Sequence, residues 1–348
     1  MCADSGFLHQ LASWVCRMLD ETDRRILARL AVDGRETWAN MARALGLSES
    51  KVARRAQRLF DSGCARVVAV PDPLRCEFGT PVLVHLRCVP GHARAVADRL
   101  AERPDTRLVV LLAGSFDVLA ELISTDRDHL MRVIHEDFRE LEGALEASVE
   151  SVLRTFKVGF DWARGLLGHD ALTPRSRPRA AHQGPCPELS AVDLNLIAAL
   201  SKDGRLSYAA LAQRLGITES LATRRLRHLV DCGYLTFSPL IDPALLGYEI
   251  EAFLRMRVDL RKVDAIARRL CRETSVRYVS ATAGASDLVC EAVLRDNAAL
   301  SDFLTGTIAN LDGVRSLETT VELGSVKRAY RPRPVRAHAD NAPGTGEG

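Results

Sequence analysis

Apolar residues recur with a helical period at two places in the chain. In each run the apolar positions lie three or four residues apart, so they share one face of a helix. They are Ile26, Leu27 and Leu30 in the first run, and Leu194, Ile197 and Leu200 in the second. Each run follows an acidic or capping residue, and Ser190-x-x-Asp193 is close to a capping box. The pattern predicts an amphipathic helix at the start of each half of the chain.

Two further helices are predicted after each of these runs. An Asp-Gly-Arg sequence stops the first helix, a short periodic stretch follows, and glycine then allows a tight turn. After the turn, Ser48 or Thr218 caps a helix that carries arginines on one side. Helix, helix, tight turn and helix is the order of the helix-turn-helix motif, whose last helix reads DNA.

The last helix of each motif divides into an inward and an outward face. The inward positions are Val52, Ala56 and Leu59 in the first copy, and Ala222, Leu226 and Leu229 in the second. Arginine suits guanine edges and glutamine suits adenine, whereas hydroxyls and lysine suit phosphate. The predicted DNA-binding residues are Ser48, Ser50, Lys51, Arg54, Arg55, Gln57 and Arg58, followed by Thr218, Ser220, Thr223, Arg224, Arg225, Arg227 and His228. Most outward residues differ between the copies, so the two helices are expected to read unlike half-sites if both bind DNA. The alternative is that one copy has lost DNA binding and only supports the pseudo-dimer.

The two halves of the chain are copies of one long module. Asp33-Gly34-Arg35 returns as Asp203-Gly204-Arg205, an offset of 203 − 33 = 170 residues. The offset persists to the end of the module and slips by two residues only near Gly79 and Gly247, where 247 − 79 = 168. Such a register indicates duplication of a whole two-part unit rather than a short solenoid repeat.

The second part of each module has strand character. Ala65–Val70 and Tyr234–Phe237 are predicted to form a wing or a connecting strand. A β-α-β-β-α-β order follows, which predicts a ferredoxin-like sheet with both helices on one face. In the first unit the strands fall near 80–88, 106–113, 116–124 and 146–157, and the helices near 91–103 and 126–141. In the second unit the strands fall near 249–258, 275–283, 287–294 and 315–327, and the helices near 261–273 and 296–311.

These patterns predict an α+β protein of two tandem units, each a winged helix-turn-helix followed by a ferredoxin-like domain. The predicted divisions are an N-terminal extension (1–17), a first helix-turn-helix domain (18–64), a first ferredoxin-like domain (65–160), a linker (161–188), a second helix-turn-helix domain (189–234), a second ferredoxin-like domain (235–330) and a disordered tail (331–348). The linker is rich in proline and basic residues, and the tail in proline and glycine.

Composition changes this picture little. The formal net charge is only +2, so DNA binding must rest on local clusters of arginine rather than on a global basic field. The nine cysteines include no C-x-x-C pair, which indicates a reducing, cytoplasmic protein with neither a disulfide framework nor a zinc site. No apolar run approaches the roughly 18–20 residues needed to span a bilayer, so no membrane partner is expected.

Four short motifs carry a resemblance to a known family. Leu19-Asp20-x-x-Asp23, Asp33-Gly34-Arg35, Gly46-Leu47-Ser48 and Gly114-x-x-Asp117 resemble the Lrp/AsnC (feast/famine) transcription regulators, and most of them recur in the second half. The resemblance implies double-stranded DNA as a partner, an amino acid or related small molecule as effector, and assembly into dimers or larger oligomers. Typical members carry one unit per chain, so a homo-oligomer and an intramolecular pseudo-dimer both stay open here. Residues 1–17 are then either an extension from an upstream start codon or a short partner-binding helix.

The resemblance also assigns roles to individual residues. Arg55 and Arg225 match the family's recurrent arginine, which is expected to hold a phosphate or an acidic neighbour. The turns between the second and third strands are candidate effector sites, and the residues involved are Gly114, Ser115, Phe116, Asp117, Gly284, Ala285, Ser286 and Asp287. Glycine permits a close backbone approach there, and the aspartate can either hold the turn or meet an ammonium group. A plain strand turn without a ligand is the alternative.

Two other functions are open from the sequence. Some proteins with this two-part fold resemble haem-precursor (siroheme-type) decarboxylases, although their histidine and arginine motif is not recognisable here. His85 and His92 lie near the first sheet, whereas the matching part of the second unit is Leu254-Arg255-Met256. An architectural DNA-binding protein without an effector is the other alternative. No catalytic residue, cofactor or metal site is predicted, because the chain has no phosphate loop, nucleophile motif or metal-spaced cluster.

Overall fold

The computed structural model describes residues 19–159, 161–170 and 188–328. The predicted extension at 1–17 and tail at 331–348, and most of the predicted linker, lie outside the described residues. Within them the predicted α+β architecture is confirmed, with two units that each comprise a three-helix head followed by a four-stranded sheet with helices on one face.

The first unit follows the predicted order of elements. Its elements are α1 (Glu21–Val32), α2 (Trp38–Leu45), α3 (Glu49–Asp61), β1 (Ala65–Pro71), β2 (Thr80–Cys88), α4 (Ala93–Glu102), β3 (Thr106–Ala113), β4 (Val118–Ser124), α5 (Arg127–His135) and β5 (Ala144–Val158). The predicted helix at 126–141 is shorter than expected, because a separate 3-10 turn forms at Asp137–Glu140.

The second unit repeats this order. Its elements are α6 (Ala191–Leu200), α7 (Tyr208–Leu215), α8 (Glu219–Asp231), β6 (Leu235–Ile241), β7 (Ile250–Val258), α9 (Val263–Leu270), β8 (Val276–Ala283), β9 (Leu288–Leu294), α10 (Asn297–Asp302) and β10 (Val314–Arg328). The predicted helix at 296–311 changes from α-helix to a π-helical segment at Phe303–Ile308.

The strands of the two units form one closed barrel of eight strands. Each unit contributes four neighbouring strands in the ferredoxin-like order, β3-β4-β2-β5 and β8-β9-β7-β10. Both seams between the units are antiparallel, because β5 pairs with β8 and β10 pairs with β3. The sequence predicted two separate sheets. In the structure the edge strands of each sheet pair with the edge strands of the other, so the barrel has no unpaired edge strand.

The strands that follow the heads also join the units. β1 and β6 pair with each other in antiparallel register, from Ala65 opposite Ile241 to Pro71 opposite Leu235. Of the two predicted roles for these segments, the structure therefore shows connecting strands, which form a ribbon across the molecule.

Each head packs against the opposite unit. The apolar core of the first head includes Ile241, Leu246, Tyr248 and Val293 from the second unit. The core of the second head includes Val67, Ala69, Cys76, Phe78 and Ile123 from the first unit. Full burial of one such side chain is worth roughly 1.5–3 kcal/mol, so this exchanged packing ties the heads firmly to the barrel.

The start of the predicted linker is packed rather than extended. Asp161–Asp170 forms a 3-10 helix, and its Trp162 and Ala163 are buried in the core of the first head. The ring of Trp162 meets Tyr248 edge-on, with 5.2 Å between the ring centroids. Apolar residues at these positions explain why this part of the segment joins the core.

Candidate DNA interface and effector site

The recognition helices α3 and α8 begin in the same way. Gly46 and Gly216 adopt positive φ angles of 66° and 65°, which end the preceding helices in the left-handed conformation. Ser48 Oγ then accepts the backbone N–H of Lys51, and Thr218 Oγ1 accepts that of Leu221. These caps satisfy free amides at the helix start, so they fix where each recognition helix begins.

The inward face of both recognition helices is confirmed by burial. The residues predicted to face inward are all at most 2% exposed; they are Val52, Ala56, Leu59, Ala222, Leu226 and Leu229. Ser48, Ser50, Lys51, Arg54, Gln57 and Arg58 are exposed in the first copy, and Thr218, Ser220, Arg224 and Arg227 in the second. Thr223 and His228 are half-buried. The remaining predicted residues, Arg55 and Arg225, are half-buried and are bound by acidic side chains.

Arg55 holds the recognition helix of the first head against α1. Its Nη1 lies 2.7 Å from Asp20 Oδ2 and 2.8 Å from Asp23 Oδ1, and Arg58 Nη2 adds a contact of 3.0 Å to Asp23 Oδ2. Of the two roles that the resemblance implied for Arg55, the structure shows the acidic neighbour. Arg58 is 61% exposed despite its contact with Asp23, and its guanidinium remains at the surface.

Arg225 makes the matching contact in the second head. Its Nε donates to Asp193 Oδ1 at 2.8 Å, and its Nη2 donates to Ser190 Oγ at 3.0 Å. The predicted capping box at Ser190 is present. Although burial acts in the opposite direction, the hydrogen bonds from Arg225 and Ser190 lower the pKa of Asp193. An ionised Asp193 therefore positions α8, which makes Arg225 a positioning residue.

Two arginines of the Asp-Gly-Arg sequences clamp the heads to each other. Arg35 donates to the carbonyl oxygens of Gly204 at 2.5 Å and Leu206 at 3.1 Å. Reciprocally, Arg205 donates to the carbonyl oxygens of Gly34 at 2.5 Å and Glu36 at 3.0 Å. From the sequence, this motif was recognised as a helix stop and as part of the family resemblance, but not as a clamp. Its recurrence at a constant offset was the one signal of a shared role.

The outward arginines Arg54 and Arg224 are equivalent in the two heads. Both are exposed, and the structure gives neither an ion-pair partner within the ranges that it describes. On α8 an open depression of about 650 Å³ is lined by Ser220, Thr223, Arg224, Arg227 and His228, together with Glu219 and Asp231. The structure thus brings five of the seven residues predicted for the second copy to one surface.

The candidate effector turns lie at the end of the barrel, where each faces the opposite unit. Asp117 Oδ2 accepts the backbone N–H of Cys88 at 2.7 Å, and Asp287 Oδ2 accepts that of Val258 at 2.9 Å. These aspartates hold the turns, which was one of the two predicted roles. Gly114 packs on Thr320 and Gly284 on Glu150, both from the other unit. Gly114, Ser115, Gly284 and Ala285 are exposed, whereas Phe116 and Ser286 are buried.

The buried turn residues join a polar contact inside the barrel. Ser286 Oγ donates to Glu150 Oε2 at 2.7 Å, and Arg255 Nε donates to Glu150 Oε1 at 3.0 Å. His85, the equivalent of Arg255, lies between the rings of Phe116 and Phe253 at centroid distances of 5.5 and 5.7 Å. Burial, with a smaller effect of Arg255, lowers the pKa of His85 to about 3. His85 is therefore neutral and enclosed, and it belongs to the barrel core.

Three carboxylates at the other end of the barrel form an acidic cluster. Oxygens of Glu251, Glu291 and Glu322 all lie within 4.8 Å of one another. Arg277 contacts Glu251 at 2.5 Å and also binds Glu291, and Arg328 binds Glu322. The spacing would suit a metal ion, but these guanidinium groups already occupy the carboxylates.

No helix in the ranges 19–159, 161–170 and 188–328 has the length and apolar character needed to cross a membrane.

Family models match most of the chain. The AsnC-type helix-turn-helix domain matches residues 19–59, and a winged helix-turn-helix DNA-binding domain matches residues 189–236. The Lrp/AsnC ligand binding domain matches twice, at residues 81–161 and 251–332. The matches therefore recover both parts of both units.

Similar regulators match about two fifths of this chain over nearly their own full length, and one solved structure matches most of the chain. An uncharacterised HTH-type transcriptional regulator of Pyrococcus abyssi is 32% identical over 151 residues, which are 43% of this chain and 94% of the relative. The HTH-type transcriptional regulator Ptr1 of Methanocaldococcus jannaschii is 30% identical over 140 residues, 40% of this chain and 95% of the relative. The crystal structure of the siroheme decarboxylase NirDL in complex with an iron-uroporphyrin III analogue covers 88% of this chain and 93% of its own, with a TM-score of 0.55.

The likeness to NirDL, at 13% identity, shows the fold alone. The similarity to the regulators covers nearly their whole length and includes both the head and the ligand-binding domain. The chain therefore belongs to the Lrp/AsnC family of DNA-binding transcription regulators, in a form that carries two units in tandem.

Proposed function

We propose that one chain reads an operator with both recognition helices, and that Arg54 and Arg224 contact base edges. The observation that carries this proposal is the pair of exposed arginines at equivalent positions on two capped helices. The reciprocal clamp of Arg35 and Arg205 holds these helices in a fixed relation. Ser50 and Lys51 near the start of α3, and Ser220 near the start of α8, suit phosphate contacts.

The two half-sites should differ in sequence. Arg54 and Arg224 are matched, and so are Ser50 and Ser220, but Gln57 is replaced by Arg227 in the second copy. Glutamine suits adenine and arginine suits guanine, so the copies are expected to prefer different bases at this position. The proposed operator is an imperfect palindrome, with half-sites separated by about one helical turn or a multiple of it.

Binding measurements on variants test this reading. The operator is first selected from random DNA, and its affinity is then measured by fluorescence anisotropy. Arg54→Ala and Arg224→Ala should each weaken specific binding by about 1–3 kcal/mol and relax base preference in one half-site only. Arg99→Ala removes an exposed arginine of the barrel domain and serves as the control. Unchanged affinity and unchanged base preference in both recognition-helix variants would contradict direct readout.

We propose that an amino acid or related small molecule acts at the barrel end that carries Gly114–Asp117 and Gly284–Asp287. The support is the match to the ligand binding domain in both units and the exposure of the turn tips. A ligand alters DNA binding only if it binds the DNA-competent arrangement with unequal affinity. Thermal-shift screening against amino acids, followed by operator titration with each hit, tests this.

Variants at the turn tips make that screen specific. Ser115→Trp and Ala285→Trp place large rings on exposed turn residues, so they should abolish the ligand-induced shift and leave the basal melting temperature nearly unchanged. Ser301→Trp, on the exposed surface of α10, is the matched control. If all three variants respond to the amino acid like the parent chain, the effector site lies elsewhere. If no amino acid shifts the melting temperature, the architectural alternative gains support.

The decarboxylase alternative is less well supported by the residues of this chain. The fold likeness favours it, but His85 is buried in the barrel core and its equivalent is Arg255, which is bonded to Glu150. Porphyrin titration followed by absorbance is the direct test. A porphyrin complex with the purified chain would revive the enzyme reading.

Assembly beyond one chain is a separate question. The seams β5–β8 and β10–β3 support an intramolecular pseudo-dimer as the working unit. Light scattering coupled to size-exclusion chromatography measures whether such units assemble further.

A further inference from the structure

A chamber of about 630 Å³ lies between the ribbon and one mouth of the barrel. Residues 238–244, from β6 and the segment after it, form one side, and Trp162 and Tyr248 line it as well. Neither Gly114–Asp117 nor Gly284–Asp287 contributes to the lining. The volume falls in the range of about 300–1,000 Å³ that small-molecule sites occupy. The chamber is therefore a second candidate site, separate from the effector turns.

Apolar and aromatic side chains form much of the chamber wall. Leu83, Leu108 and Phe253 line it from the barrel interior, opposite the ring pair of Trp162 and Tyr248. Walls of this kind favour a ligand with an apolar or aromatic body, because its burial removes apolar surface from water.

The charged part of the lining carries an excess of negative charge. The lining holds six carboxylates, the three of the acidic cluster and those of Glu121, Asp242 and Glu249, and three guanidinium groups, those of Arg107, Arg277 and Arg328, which leaves 3 − 6 = −3 when all are ionised. The nearby pair of Arg107 and Glu121 is neutral as a pair. A ligand that brings a positive charge would reduce this excess.

The duplication shows that the fold does not require these charges. At the offset of 170 residues, Glu251 corresponds to Pro81, Glu322 to Val152 and Arg328 to Val158. The first unit forms the same four-stranded sheet with uncharged residues at these three positions. Burying charged groups costs free energy unless they are well paired. Burial, against the opposing effect of Arg328, raises the pKa of Glu322 to about 7, which is a sign of that cost. Arg277 and Glu291 recur as Arg107 and Glu121, but Glu251, Glu322 and Arg328 occur in one copy only. Extra charges in one copy are better explained by a ligand than by stability.

We propose that the chamber binds a small organic cation, with an aromatic or apolar body against Phe253 and Trp162 and a protonated amine at Glu322 and Glu251. A metal ion would leave the apolar wall unused. An organic anion would add to the negative excess. The inference goes beyond the effector turns, and it holds whether or not those turns bind an amino acid.

Calorimetry with three probes of one ring system tests the proposal. Tryptamine carries a protonated amine, N-acetyltryptamine is neutral and indole-3-acetate is an anion, so charge is the main difference. Tryptamine should bind the full chain with one site, and the other two should bind at least about tenfold more weakly, a difference of about 1.4 kcal/mol. Stronger binding of indole-3-acetate, or equal binding of N-acetyltryptamine, would overturn the assignment of a cation site.

Variants locate the binding. Glu322→Gln removes one carboxylate from the proposed amine site, and Glu322→Val installs the residue found at Val152; both should weaken tryptamine binding about tenfold or more. Glu146→Gln changes an exposed carboxylate outside the chamber, and its affinity for tryptamine should match that of the parent chain. Thermal unfolding checks that each variant is folded. Unchanged tryptamine affinity in folded Glu322→Gln would overturn the proposal. It would also be overturned if the parent chain bound Mn²⁺ but not tryptamine, and if Glu322→Gln abolished the Mn²⁺ binding.

Discussion

The clamp between the heads gives the sharpest prediction, and the perturbation is Arg205→Ala. Arg205 donates to the carbonyl oxygens of Gly34 and Glu36, and its guanidinium lies 3.8 Å from the ring centroid of Trp38. Two hydrogen bonds from a charged donor contribute about 1.5–3 kcal/mol each, and the cation–π contact about 1 kcal/mol. Removal leaves two backbone carbonyls without these donors.

The cost of burying the Arg205 charge offsets part of the stabilisation that these contacts provide. Burial and the neighbouring Arg35 lower the pKa of Arg205 to about 10 from an ordinary value of 12.5. That shift corresponds to a cost of about 3 kcal/mol for keeping the charge there. The gross gain of about 4–7 kcal/mol then leaves a net loss of about 1–4 kcal/mol for Arg205→Ala.

Urea unfolding followed by tryptophan fluorescence measures this loss, because Trp38 lies beneath the guanidinium. Arg205→Lys keeps a charge but lacks the planar fork that reaches two carbonyls while it stacks on the ring, so it should restore less than half of the loss. Arg99→Ala is the exposed control. On DNA, Arg205→Ala should also weaken the preference for one half-site spacing. An unchanged unfolding midpoint and an unchanged spacing preference would refute the clamp.

Three further predictions follow from charge and close packing. Burial raises the folded-state pKa of Glu322 to about 7, well above its ordinary value of 4.5, so the free energy of unfolding should fall as pH rises from about 4.5 to 7. In urea titrations, Glu322→Gln should lack this contribution to the pH dependence. The pKa of Asp193 is lowered in the folded state, so its contribution to folding stability is present above about pH 4 and lost in acid. Measured by calorimetry, Asp193→Asn should destabilise the chain by about 2 kcal/mol at pH 7 and much less at pH 2. Gly284→Ala should lower the free energy of unfolding by about 1–3 kcal/mol, because the added Cβ would lie 2.9 Å from Glu150 Cγ. In the control Gly46→Ala the added Cβ meets no atom within 4 Å, so only the backbone angle should cost about 1 kcal/mol. Equal losses in the two variants would contradict the contact argument.

The elements of this fold were largely predictable because their signals are local. Apolar spacing, hydroxyl caps and glycine turns depend on a few neighbouring residues. The strands predicted for the two ferredoxin-like sheets agree with the observed bounds to within two residues, as in 116–124 against Val118–Ser124, whereas the connecting strand predicted at Tyr234–Phe237 extends to Ile241. The family resemblance was confirmed for the same reason, since its motifs lie in those turns and caps. The division into domains and the assignment of site residues stay predictions.

Long-range pairing was not predictable from these patterns. Nothing in the alternation of β1 or β6 specifies that each strand takes the other as its partner, and the closure of the barrel depends on which sheet edges meet. The role of Arg55 was left between a phosphate and an acidic neighbour because the position of Asp23 relative to α3 is set by the packing of three helices. The chamber was missed for the same reason, since Glu251, Glu291 and Glu322 come together only when β7, β9 and β10 are aligned.

The closed barrel has a consequence for concentration dependence. In a regulator built from two identical chains, dilution separates the partners, and with them the two DNA-reading helices. Here both seams of the barrel join segments of one polypeptide, so the pairing is a first-order process that dilution does not weaken. A cell could therefore keep very few copies of this protein and still retain the paired form.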